Sequence, residues 1–147
     1  MEFSSGVEIP FVCVFIMFLL YFVALVPVRK AQAQQDEGYD NSNPRDQYNR
    51  LPIWGKRAVG AANNTFEGLV FFSIAVFTYA FSHVFNLNPF GNKYQKIEMT
   101  ANILCIIYII LRVIYFPLYW FDYPKVRSSV WTIGLLCILS LFIISFI

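Results

Sequence analysis

Residues 97–121, IEMTANILCIIYIILRVIYFPLYWF, form an apolar run with a full positive charge, Arg112, deep inside it. A bilayer core is crossed by about 20 helical residues, so the run is long enough to span a membrane. It also puts Arg112 at a depth where ionisable groups are costly and usually functional. Three further apolar runs lie near 9–28, 66–85 and 129–147. Composition agrees: 58% hydrophobic, 19% aromatic and only 14% charged residues, with a mean hydropathy of +0.56, do not describe a soluble domain of this size.

The expected fold class is therefore an all-α integral membrane protein, a four-transmembrane-helix bundle forming a single domain over 1–147. The helices are expected near 9–28, 57–85, 97–121 and 128–147, with a polar connection over 29–56. The first run is not read as a secretory leader, because its leading segment carries Glu2 and Glu8 and no Lys or Arg. Arg29, Lys30, Arg45, Arg50, Lys56 and Arg57 flank or fill the first connection, Lys125 and Arg127 the third, and only Lys93 and Lys96 the second. The positive-inside rule then puts the first and third connections in the cytoplasm and both termini on the outer or lumenal face. The expected membrane is a bacterial inner membrane or an equivalent organellar one.

Several chemistries lack their residues. Cys13, Cys105 and Cys137 stand singly within apolar runs, with no C-x-x-C pair, and read as packing thiols. The single histidine, His83, has no second His or Cys at ligand spacing, so no metal site is expected. There is no phosphate-cradling glycine loop, no internal repeat and no basic-aromatic surface of the type that binds nucleic acid. The Gln-, Asn- and Asp-rich stretch between the first two helices reads as a solvated connector.

Depth and helical phase bring the remaining polar groups together. Glu67 stands ten positions after Arg57, and Arg112 ten before Asp122, each about 15 Å along its helix. If the two helices face each other, Glu67 and Arg112 are expected to pair. Arg57, Asn64 and Glu67 fall in a sector of about 80°, and Tyr108, Arg112, Tyr115 and Tyr119 in one of about 60°. Taken singly, such tyrosines are usually packing or interface anchors. Arg127 and Ser128 open the fourth helix, with Trp131 one turn deeper. Such a pocket, open to the cytosol at one end and to lipid at its flanks, suits a polar anionic cofactor beside an apolar substrate.

Four segments carry a family likeness: EGYDNSNPR (37–45), KRAVGAANNTFE (56–67), LRVIYFPLY (111–119) and VRSSVWTIG (126–134). Together, in order and on the appropriate helices, they resemble the MAPEG family, membrane-associated proteins in eicosanoid and glutathione metabolism, most closely its bacterial branch. The resemblance implies a homotrimer that binds glutathione between subunits and acts as a transferase or peroxidase on hydrophobic small molecules delivered through membrane lipid. It implies cofactor contacts at Arg29, Arg57, Asn64, Glu67, Arg112, Tyr115 and Tyr119, and catalytic roles for Arg127 and Ser128. Gly60 to Asn63 stand where the well-studied members carry a basic, histidine-containing segment. The alternative is a non-catalytic membrane protein, either a lipid or small-ligand binder or an accessory subunit of a larger membrane complex. A small-drug exporter fits less well, because the first helix has an acidic residue, Glu8, only at its start.

Overall fold

A computed structural model describes residues 6–85 and 91–147, with residue 84 and residues 91–94 as backbone alone. Glu2 and the Lys93 side chain, used in the charge argument, lie outside the described residues. The chain forms four helices, α1 (Glu8–Ala33), α2 (Ile53–Val84), α3 (Gly91–Trp120) and α4 (Pro124–Ser145), with a short 3-10 turn at Asp46–Arg50. All four are long and apolar enough to cross a membrane. No strand occurs among the described residues. Even α2, the most enclosed, has less than half of its most apolar window buried inside the bundle. Apolar faces of that extent are at home in lipid or against a neighbouring chain.

The helices run past their apolar cores. α1 continues through Arg29 to Ala33, and α2 begins at Ile53, so the first connection is residues 34–52 rather than 29–56. Hydropathy marks the part of a helix that needs lipid, whereas the backbone keeps its own hydrogen bonds on into the polar flanks. Pro124 starts α4 at the helix opening, where its missing N–H costs nothing. The tight α3–α4 turn passes through Asp122 at φ 62°, in the left-handed region that an L side chain rarely adopts.

α2 and α3 each pack against all three of the other helices. One core cluster joins all four helices around Met17, Phe72, Val76, Tyr79, Cys105, Tyr108 and Leu141. A second, nearer the 34–52 connection, gathers Ala24, Val28, Ala58, Ala62 and Phe116. Small residues set the spacing, as is usual between membrane helices. A side chain at Gly55 would approach Ala31 Cβ to 2.8 Å. The three cysteines are free and buried, matching their reading as packing thiols. His83 is half-buried, its ring 5.7 Å from that of Tyr79.

The 34–52 connection is largely exposed, as a solvated connector is, yet it is tied to the bundle through a few buried amides. Gln32 and Gln47 are almost wholly buried. Gln32 Nε2 donates to the Pro44 carbonyl at 2.7 Å, and Gln47 Nε2 donates to the carbonyls of Gly38 and Gln32. Asp40 accepts from the backbone N–H groups of Ser42 and Asn43, and Arg50 pairs with Glu37 at 3.2 Å. The polar composition that leaves the segment hydrated also supplies hydrogen bonds that fix its course.

Candidate functional site

The site is built on the α2–α3 contact. Asn64 and Gly68 lie one turn apart on α2, facing Arg112 and Tyr108, one turn apart on α3. Arg112 Nη1 donates to Asn64 Oδ1 at 2.8 Å. Its Nε donates to the Tyr108 hydroxyl at 2.9 Å, and that hydroxyl donates to the Gly68 carbonyl at 3.0 Å. The guanidinium also lies 5.0 Å from the Tyr108 ring centroid and 5.6 Å from that of Tyr115, within the range of cation–π attraction. Arg112 is only 6% exposed. Its hydrogen-bond partners are neutral, and no carboxylate among the described residues comes within ion-pair distance of it.

The expected Glu67–Arg112 pair is therefore corrected. Glu67 is exposed on the outside of the bundle, although within electrostatic reach of Tyr115. The reason is helical phase: three residues beyond Asn64 amount to about 300°, turning Glu67 some 60° off the α3-facing side. Its neighbour Gly68 takes the inward position, and a Cβ there would stand 2.6 Å from Arg112 Nη2.

Beside this chain of bonds opens a pocket of about 390 Å³ lined by Asn64, Tyr115, Tyr119, Arg127, Ser128, Trp131 and Thr132. That volume falls in the range of roughly 300–1,000 Å³ usual for small-ligand sites. The Arg127 guanidinium sits over the Tyr119 ring at 4.2 Å from its centroid, again with no carboxylate among the described residues at ion-pair distance. Tyr115 and Tyr119 meet edge to face at 5.6 Å. A side chain at Gly60 would collide with the Tyr119 hydroxyl, so the bare backbone of Gly60 makes room for it. The Ser128 hydroxyl donates to the Pro124 carbonyl at 2.9 Å and, so oriented, offers the pocket an acceptor. The Tyr119 hydroxyl has no hydrogen-bond partner among the described residues and can donate.

Of the residues expected to form the site, Asn64, Tyr115, Tyr119, Arg127 and Ser128 line this pocket, and Arg112 backs it through Asn64. Three others do not line it: Glu67 is exposed on the outside of the bundle, and two are engaged elsewhere. Arg29 bonds the Tyr39 hydroxyl and lies 4.9 Å from that ring's centroid, with Gln32 Oε1 at 3.4 Å. Arg57 Nη1 pairs with Asp122 Oδ2 at 2.6 Å, fastening α2 to the α3–α4 turn. Sequence reasoning gave no role to Gly60, Gly68 or Thr132. Their only signal was helical spacing: Gly60, Asn64 and Gly68 recur every fourth residue, as do Ser128 and Thr132.

The fold and site together define a class: a multi-pass helical membrane protein with a basic, tyrosine-lined pocket at the end of the bundle that carries the 34–52 connection. The chain belongs to the MAPEG family, whose model matches residues 9–147. Membership puts it among membrane-associated proteins of glutathione and eicosanoid metabolism. No curated protein and no solved structure matches it.

Proposed function

We propose that the protein binds glutathione in the Asn64–Arg127 pocket and uses its thiol as a transferase or peroxidase towards lipophilic electrophiles. The observation that carries this reading is Arg112: a cation only 6% exposed, with no anionic partner among the described residues, beside a pocket that holds a second arginine. A cation taken out of water without a counter-charge costs several kcal/mol, and an anionic ligand offsets that cost. Glutathione brings two carboxylates and a thiol.

Arg127 supplies positive charge within the pocket and Arg112 from behind Asn64. Asn64, whose Oδ1 is held by Arg112, turns its Nδ2 donors to the peptide portion of the ligand. Arg127 stabilises the thiolate over the thiol, and Tyr119 donates a hydrogen bond to the sulfur. In the transferase reaction the thiolate attacks an electrophilic carbon, a C–S bond forms, and the leaving group departs with its bonding pair. The electrophile enters from the bilayer past the exposed Trp131.

The working unit in this reading is a homotrimer with its 34–52 connection in the cytoplasm. Glu67 supports assembly: a carboxylate exposed on the outside of a bundle, about 15 residues from either end of α2, is poorly suited to lipid and is satisfied by a neighbouring subunit or by the amine of a ligand bound between subunits.

The test is an ultraviolet difference titration of detergent-solubilised protein with glutathione, with Arg127→Ala as control. A saturable thiolate absorbance that is lost in the variant is expected. No absorbance from intact protein would overturn the reading in favour of a non-catalytic binder or accessory subunit.

A further inference from the structure

Tyr108 lies outside the pocket, yet its hydroxyl occupies the joint on which the pocket's electrostatics turn. The ring is fully buried and stacked on Phe72 with centroids 4.4 Å apart and planes 17° from parallel. Its position is therefore fixed by the core and not by Arg112. A phenol has one proton to donate and lone pairs to accept with. The proton goes to the Gly68 carbonyl, which leaves an oxygen lone pair for Arg112 Nε. With Nε held, the planar guanidinium can present Nη1 to Asn64 Oδ1 in essentially one orientation. Asn64 Oδ1 thereby becomes the occupied acceptor, and its Nδ2 donors are left for the pocket.

Gly68 is the clearance that permits this arrangement. A Cβ there would stand 2.6 Å from Arg112 Nη2, 2.7 Å from its Cζ and 2.8 Å from the Tyr108 hydroxyl, all closer than packed atoms tolerate. Two features, a phenolic oxygen on α3 and a missing side chain on α2, thus serve one guanidinium orientation.

We propose that Tyr108 is a positioning residue of the ligand site: through Arg112 it sets which face of the Asn64 amide meets the ligand, with Gly68 as its spatial counterpart. The ligand consequence rests on the glutathione reading above, while the orientation of Arg112 does not.

The experiment uses the full chain in detergent with two readouts. Side-chain nitrogen NMR follows Arg112 Nε–H and Asn64 Nδ2 without ligand, each assigned by its loss in Arg112→Lys or Asn64→Ala. Calorimetric titration then follows glutathione. Tyr108→Phe keeps the ring and its stacking on Phe72, so the core packing is preserved. It is expected to collapse the slowly exchanging Arg112 Nε–H signal, shift the Asn64 amide, and weaken glutathione binding about tenfold, the size expected for one hydrogen bond to a charged group. In an Asn64→Ala background the same change should add no further loss of affinity, because the effect passes through Asn64.

Unchanged Arg112 and Asn64 signals in Tyr108→Phe would overturn the proposal, as would a full additional loss of affinity in the double variant. Should the wild-type protein fail to bind glutathione, the functional reading falls, and the ligand-free signals still decide the role of Tyr108. Should Tyr108→Phe fail to fold, Gly68→Ala decides it: a displaced guanidinium with weakened binding supports the proposal, and unchanged signals overturn it.

Discussion

Gly68→Ala and Gly134→Ala make the same chemical change on opposite sides of Tyr108, and the structure gives them opposite signs. Both replace a helical glycine, and alanine alone contributes about 0.8–1 kcal/mol of helix propensity. At Gly134 the new methyl meets Tyr108 Cε2 at 3.5 Å and Cδ2 at 3.7 Å, ordinary van der Waals contact. That variant should be stabilised by roughly 0.5–1 kcal/mol. At Gly68 the methyl arrives 2.6–2.8 Å from the Arg112 guanidinium and the Tyr108 hydroxyl, and the stacked ring of Tyr108 has little freedom to yield. The guanidinium must move and give up at least one charged hydrogen bond, at about 1.5–3 kcal/mol. Overpacking adds roughly 1–3 kcal/mol. Set against the propensity gain, Gly68→Ala should be destabilised by roughly 1.5–5 kcal/mol. The assay is equilibrium unfolding in mixed detergent and dodecyl sulfate, followed by far-ultraviolet circular dichroism. A Gly68→Ala protein as stable as Gly134→Ala would refute the account of Arg112 as a tightly enclosed cation.

Three other outcomes are expected. Arg112→Met removes a buried charge that has no counter-ion, so its unfolding midpoint should hold or rise while glutathione binding disappears; a loss of several kcal/mol would instead make Arg112 a structural residue. Gln47→Ala strips the 34–52 connection of a buried amide that donates to two carbonyls, so limited proteolysis within that segment should accelerate severalfold with helix content unchanged. Asp122→Gly relieves a left-handed residue by about 1–2 kcal/mol but loses a partly exposed ion pair worth about 0–1 kcal/mol, so its stability should stay within about 1 kcal/mol of wild type, whereas Asp122→Val should lose at least that much in the same unfolding assay.

The four membrane helices were legible because hydropathy over about 20 residues is dictated by the solvent the helix crosses. The polar stripe on α3 was legible because Tyr108, Arg112, Tyr115 and Tyr119 recur at helical spacing within one helix. What failed was the relation between helices. Depth put Glu67 and Arg112 at the same level, but no pattern in α2 revealed its rotation about its own axis, and 60° of it separates a partner from an outward-facing residue. Asn64, one turn from Gly68, holds the inward position that Glu67 does not. The 34–52 connection was legible as a polar, exposed segment but not in its anchoring: Gln, Asn and Asp suit a hydrated tether and a hydrogen-bonded cap equally, and only the tertiary structure buries Gln47 in the connection and Gln32 at the end of α1.

The buried cysteines bear on how such a protein would coexist with its co-substrate. Cys13, Cys105 and Cys137 share one apolar cluster, and none of them lines the pocket. A bound thiol that became oxidised would find no protein sulfur within the pocket to trap it as a mixed disulfide, since exchange requires an accessible thiolate. The protein is thus its own blank for sulfur chemistry: a thiolate signal or an alkylation adduct at the site reports the ligand alone, and a single cysteine introduced at the pocket rim would be a clean reporter of occupancy.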